Sequence, residues 1–424
     1  MDDRRAGQVA VGAALIALVW HLWFLHAYPF NFAYDSFQRW AGRDHVLVQT
    51  WLPATQAVVW AVVALGGGIE AARLALSVIA AVAVGLGARL AGRLGGGAGA
   101  LLYLGVATFG PTTSVTSGIY QEGTFLLVLC AGLGLAAQGR LVAADLALGA
   151  AGLVRYEAWP YLAIWALWRQ QEARRAGRWA PEAALAGWGA ALWLILHEGL
   201  GLRGAAMSPQ DLHDWDGLLA RFDLGAWASD VGKLAVNMAQ TGAWLWLGLG
   251  AWGAWLGRDR PLVRLVAAWL GVQVAFTGAW IAGLEMSSNR MQVVPVMLAA
   301  LLAAPAAERI GRRPLVLRLL VLGLLGWGVW SSLDDGNRKV REFKPERVAL
   351  QQMAACPDCV WWVVPRQGLG SRTRHDGCEV LQGLSPMRHG VDFWCAAWPD
   401  TAPHEAEATG RVIYNGKGYD VTVP

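Results

Sequence analysis

Charged residues are what this 424-residue chain has least of: Asp, Glu, Lys and Arg make up 16% of it, against a hydrophobic share of 55%. Soluble domains carry about 25% charged residues, so a solvated globular surface is excluded for most of the length. A basic tract is also missing. The net charge is only +4, and no run of Lys and Arg is long enough to track a phosphate backbone, which excludes nucleic acid as a partner. Internal repeats are absent, and polar residues near the middle of the apolar runs are few; a transporter calls for both. No small-residue cleavage site follows the first apolar run, Val9–Ala27, which therefore reads as a retained span rather than a signal peptide. Cysteine is scarce, five in all. Only Cys130 lies in an apolar run, where it reads as a packing residue.

What is there is apolar sequence in runs of about 17–25 residues, each long enough to cross a bilayer core of about 30 Å. The pattern predicts about eleven spans, near residues 9–27, 69–90, 97–114, 121–138, 141–154, 157–169, 182–200, 238–257, 262–283, 291–307 and 314–332. The arginines sort to one side of them: Arg4, Arg5, Arg89, Arg93, Arg140, Arg169, Arg174, Arg175, Arg178, Arg258, Arg260, Arg264, Arg309, Arg312 and Arg313. By the positive-inside rule that side is the cytoplasm, which places the N-terminus inside and the C-terminus outside. The Ala-, Gly- and Arg-rich composition suggests a GC-rich bacterial genome, and with the spans this makes a bacterial inner membrane the expected location. Residues 50–68, TWLPATQAVVWAVVALGGG, are apolar but carry Pro53 at one end and three glycines at the other. Counted as a span they would move the arginines outside, so they read as an interfacial or re-entrant helix on the outer face. The 25 Trp residues suit both interfacial anchoring and an aromatic-lined pocket.

Beyond residue 332 the composition turns mixed and charged. VWWVVP and GRVIYNGKGYDVTVP look like strands, the latter a pair joined at a hairpin-type turn. The expected fold is an all-α polytopic membrane protein over residues 1–332, followed by a small soluble α+β domain over 333–424 on the extracytoplasmic side. Cys356, Cys359, Cys378 and Cys395 lie in that tail. An even number in an oxidising compartment favours two disulfides, with three pairings open. A zinc site is the weaker reading, since only CPDC has ligand spacing.

Polar residues then gather at the outer ends of the spans. Asp35 and Arg39 follow the first, Glu122 opens the fourth, and Arg155 and Glu157 occupy the outer turn RYEAW. Asp211, His213, Asp214 and Asp216 crowd SPQDLHDWD, and Glu285, Asn289 and Arg290 lie in EMSSNRMQVVP. Each alone has a plain explanation. Asp35 and Glu122 serve as helix caps, Arg155 and Glu157 as an ion pair, Arg290 as a snorkelling side chain, and DLHDWD as a solvated loop or a metal-binding cluster. Ionisable groups at membrane depth are costly, however, and these converge on one face. Sugar transfer from a lipid phosphate uses such a set. A carboxylate deprotonates the acceptor hydroxyl, and a guanidinium fork holds the departing phosphate. Asp35 suits the first role and Arg290 the second.

In this order the motifs YDSFQRWAG, WLPATQAVVWAVVALGG, SGIYQEGTFLLVL, GLVRYEAWPYLAIWAL and SNRMQVVPVMLAALLAA resemble the GT-C superfamily of integral membrane glycosyltransferases. That group includes protein mannosyltransferases and lipid A aminoarabinose transferases. The resemblance covers about residues 9–307; RYEAW differs from the usual pattern in having Tyr and Ala where Pro and Gly stand. It implies a polyprenyl-phosphate-sugar donor, with a glycolipid, polysaccharide or protein as acceptor. Asp35 is then the catalytic base, and Arg39, Glu122, Arg155, Glu157, Asn289 and Arg290 bind substrate. No cofactor is called for. A divalent metal is the one addition the phosphate chemistry admits, and Asp35 stands without an adjacent acidic partner to hold it. The competing classes are a lipid-linked glycan flippase and a non-catalytic cell-envelope assembly protein.

Overall fold

A computed structural model describes residues 3–28, 39, 43, 45–47, 52–199, 224–284, 289–342, 362–365, 394–395, 411–416 and 419–423. The chain opens with α1 (Asp3–Ala27), 25 residues of almost unbroken apolar sequence, then α2 (Pro53–Ala64) and α3 (Ile69–Leu104). At 12 residues, α2 spans about 18 Å, too little to cross a bilayer core. That is the stretch read from sequence as interfacial or re-entrant.

The 36 residues of α3 are two arms rather than one rod. Gly95 and Gly96 leave helical geometry, and Gly96 takes φ +63°, a left-handed conformation that glycine adopts without steric cost. The Tyr103 ring lies against Gly87 and the Ala91 carbonyl against Gly99. The chain therefore doubles back at the glycine pair, between the spans expected at 69–90 and 97–114. Small residues along both arms allow this approach, and α1 packs along the same hairpin.

There follow α4 (Gly110–Thr116), α5 (Glu122–Ala136) and α6 (Leu141–Gly149), the last continued by a 3-10 turn to Leu153. Next come α7 (Ala158–Arg175), α8 (Trp188–Gly199), α9 (Leu224–Thr241), α10 (Ala243–Leu256) and α11 (Pro261–Leu284). Then α12 (Val293–Leu302) and α13 (Ala304–Gly311) meet at a 46° bend. All ten residues of α12 are buried; it is the centre of the bundle, wrapped by α3, α5, α10 and α11.

Among the described residues four helices are long and apolar enough to cross a membrane, or five if the bent pair counts as one. Four shorter apolar helices accompany them. The molecule is a predominantly helical, polytopic membrane protein.

The last helix, α14 (Pro314–Glu342), runs ten residues past the point where the sequence places the end of its span. DDGNRKVRE continues the helix, and Ser331, Ser332 and Asp335 bury one face of it. Four strand segments follow: β1 (Trp362–Pro365), β2 (Trp394–Cys395), β3 (Arg411–Gly416) and β4 (Tyr419–Val423). They pair in the order β2-β1-β4-β3, with β3 and β4 antiparallel.

Candidate functional site

Three helix ends meet at the face that the arginine distribution assigns to the outside. Glu122 is the first residue of α5, where the positive end of the helix dipole favours a carboxylate. Arg155 and Glu157 lie in the turn before α7. Arg290 sits in the 3-10 turn that enters α12, so the most buried helix delivers this arginine.

The Glu122 side chain is fully buried. One of its oxygens, Oε1, accepts from both Arg155 and the Nε of Arg290. The other, Oε2, has no hydrogen-bond partner among the described residues. Arg155 also grips Glu157 in a two-pronged contact, its Nε 3.1 Å from Oε2. Burial works against the charge on Arg155, yet Glu157 and then Glu122 hold its guanidinium above its ordinary value. Arg290 lies over the Tyr120 ring at 5.2 Å, a cation–π distance. Burial, then the Glu122 and Asp335 carboxylates, push the Tyr120 phenol upward.

Arg39 reaches the same cluster from the first loop. It is fully buried and donates to the side chain of Gln121, while the Gln56 side chain donates to its carbonyl at 3.0 Å. Burial draws the Arg39 guanidinium down to about 10, with Glu122 opposing the shift.

An aromatic floor seals the cluster from the bundle interior. Phe125, one turn on from Glu122, has Arg155 over its ring at 6.0 Å. Tyr161, one turn on from Glu157, lies 6.2 Å from Phe125 and stacks on Trp269 at 5.2 Å. The 3.6-residue period puts each ring on the face of its charged neighbour. Such a floor keeps the local dielectric low and the charge–charge forces large.

Arg39, Glu122, Arg155, Glu157 and Arg290, five of the residues singled out from sequence, thus share one site. Asp35, Asp211, His213, Asp214, Asp216 and Glu285 lie outside the described residues, as do Cys356, Cys359 and Cys378. Asn289 and Cys395 are described in backbone only. Sequence reasoning missed Tyr120, Gln121 and Arg73. Tyr120 and Gln121 are the two residues before Glu122 and were the available signal. Arg73 is a lone basic residue inside an apolar run, buried to 2% exposure. Among the described residues no group of three or more His, Cys, Asp and Glu is placed to hold a metal.

A second buried ionic cluster, absent from the sequence reading, lies towards the opposite end. Asp145 on α6 accepts from Trp165 at 2.7 Å and from Arg169 at 3.2 Å on Oδ1, and from Arg169 at 3.2 Å on Oδ2. Arg169 also reaches Glu182 at 3.3 Å.

No family model matches the sequence, and none of the curated proteins is similar to it in sequence. In fold, the chain is similar to two crystal structures of ArnT from Cupriavidus metallidurans. The form bound to undecaprenyl phosphate shares 15% identity over 97% of each chain, with a TM-score of 0.57. The apo form shares 16% identity over 98% of this chain and 97% of that one, with a TM-score of 0.58.

Proposed function

Proceeding from a GT-C-like fold, we propose that the chain is a membrane glycosyltransferase. It takes a sugar from a polyprenyl-phosphate donor and passes it to a glycolipid, polysaccharide or protein acceptor at the extracytoplasmic face. The observation that carries this reading is the pair of guanidiniums, Arg155 and Arg290, gathered on one oxygen of the buried Glu122, whose other oxygen has no donor among the described residues. Three arginines (39, 155 and 290) face two carboxylates (122 and 157) there, an excess of one positive charge among the described residues. That excess suits a phosphate group at headgroup depth. The undecaprenyl phosphate bound to the similar ArnT structure supports the same ligand class here.

The reaction then runs as follows. Asp35 accepts the proton of an acceptor hydroxyl, whose oxygen attacks the anomeric carbon of the donor sugar. The bond from that carbon to the phosphate oxygen breaks, and its electron pair leaves with the phosphate. Negative charge grows on the phosphate during this step, so preorganised guanidiniums stabilise the transition state more than the ground state. Arg290 receives the phosphate in a planar fork that an ammonium cannot reproduce. Arg155 adds charge beside it and is itself held in place by Glu157. Arg39 and Asn289 complete the donor side.

The full arrangement is about eleven spans with the N-terminus cytoplasmic. The tail forms a soluble extracytoplasmic α+β domain with its four cysteines in disulfides.

Transfer of labelled sugar from polyprenyl-phosphate donors, in membranes of cells lacking the native enzyme, tests the function. Transfer that depends on the introduced chain is expected. Its absence with hexosyl and pentosyl donors alike would overturn the reading.

A further inference from the structure

The extension of α14 beyond its apolar stretch is fastened to the rest of the bundle at defined points. Ser331 Oγ accepts from the Gly110 amide at 3.2 Å, and Ser332 Oγ donates to the Thr108 carbonyl at 3.0 Å. One turn further on, the ring of Tyr28 lies directly on the helix backbone. A Cβ at Gly336 would come within 2.8 Å of three atoms of that ring, about 1 Å inside ordinary carbon–carbon contact. Only glycine lets the ring approach so closely. The Tyr28 hydroxyl points along the same helix, 3.4 Å from the Leu333 carbonyl and 3.3 Å from Asn337 Oδ1. Phe24 backs the ring at 4.8 Å.

The other side of Tyr28 leads to the site. Its carbonyl accepts from Arg73 at 3.3 Å, and the Nε of the same guanidinium donates to the Ser117 carbonyl at 2.8 Å. Ser117 begins the short segment that runs through Tyr120 and Gln121 to Glu122. A single buried guanidinium therefore bridges the end of α1 to the strip of backbone that presents Glu122.

We propose that Tyr28 is a positioning residue, which couples the extension of α14 to the Ser117–Glu122 segment through Arg73. The proposal rests on reading the Glu122 cluster as the transfer site, but the joint exists whatever that cluster does. A displacement of α14 shifts the Tyr28 ring, the ring moves its own carbonyl, and Arg73 carries the movement to Ser117. The helix that leads into the C-terminal region is thereby tied to the group that organises Arg155 and Arg290.

Gly336→Ala is the sharpest test. Alanine is the better helix former, but its Cβ meets the Tyr28 ring, so a lowered thermal midpoint is expected whatever the joint does; a purely architectural α14 loses no turnover per folded molecule. If Tyr28 couples the elements, the new methyl wedges ring and helix apart. Turnover then falls about tenfold, a modest share of what misplacement by about 1 Å can cost. The donor KM stays at its wild-type value, and the fall in turnover is read per folded molecule. Amide hydrogen exchange at residues 117–121 quickens, far from the substituted position in sequence. Tyr28→Phe keeps the ring and drops the hydroxyl; it should quicken the same amides, and adding Asn337→Ala should add nothing further, because partners in one contact are not additive. Wild-type turnover in Gly336→Ala, or unchanged exchange at 117–121 in both single variants, would overturn the coupling. If Gly336→Ala does not fold, Tyr28→Phe decides by exchange alone. If the wild-type chain transfers no sugar, the functional reading falls and the exchange result still judges the joint.

Discussion

Two buried acid–arginine clusters sit near opposite ends of the bundle, and they differ in one respect. Asp145 is saturated: both oxygens receive donors, from Trp165 and from the two-pronged Arg169. Glu122 is lopsided, with two guanidiniums crowded on one oxygen and the other oxygen unpartnered among the described residues. A closed knot has nothing left to offer a ligand. It holds α6 against α7 in a medium where unpaired polar groups are costly. In the open one, the described residues leave a carboxylate oxygen for a further donor, whether from the chain or from a ligand. The contrast separates a structural ion pair from a candidate site without reference to sequence likeness.

Breaking the closed knot should give the largest change in stability. Asp145→Asn turns an acceptor into a donor opposite Arg169 and leaves the buried guanidinium with the partly exposed Glu182 as its remaining carboxylate. A loss of about 3–5 kcal/mol is expected, read as a lowered thermal midpoint in detergent, with turnover per folded molecule unchanged. Glu122→Gln should reverse that signature. Arg155 keeps Glu157 and Arg290 keeps the Tyr120 ring, so the fold stands. Turnover should drop by about 10²-fold, close to 2.7 kcal/mol, the scale for removing one preorganised group from a charge-stabilising site. If both variants lose stability and keep turnover, the two clusters are alike and the comparison fails.

Arg290→Lys sharpens the same contrast more gently. Charge is retained but the planar fork is lost. Donor KM should rise about tenfold, near 1.4 kcal/mol, while the equivalent change at Arg169 should lower only the thermal midpoint. The smallest effect concerns the tail. Titration of free thiols in the unfolded, unreduced protein should find one, Cys130. Four or five free thiols together with bound zinc would establish the metal reading of CPDC instead.

Much of the open cluster was legible because its members stand at span ends, where a charge interrupts an apolar run. Glu122, Arg155, Glu157 and Arg290 announce themselves that way. Asp145 and Arg169 did not, since one looks like an isolated polar residue in a span and the other joins a row of cytoplasmic arginines. Their pairing depends on two adjacent helices packing in one register, which no local pattern encodes. The turn at Gly95–Gly96 falls between two of the spans expected from sequence, within a run of three glycines. The extension of α14 was missed because DDGNRKVRE has the composition of a solvated tail. Its buried face, Ser331, Ser332 and Asp335, follows helical spacing but is polar, and the hydrophobic pattern is blind to it. Tyr28 and Arg73 were overlooked for a related reason: each earns its place through a contact more than forty residues away in sequence.

The central claim is that this face of the molecule moves a sugar by general-base attack beside a lipid phosphate. The most direct test is the turnover of Asp35→Asn beside wild type, with donor and acceptor saturating. Asn matches Asp in size and in helix capping but does not accept the hydroxyl proton at neutral pH. A base predicts normal insertion, an unchanged thermal midpoint and turnover lower by about 10²–10⁴-fold. Wild-type turnover in Asp35→Asn would contradict the mechanism outright.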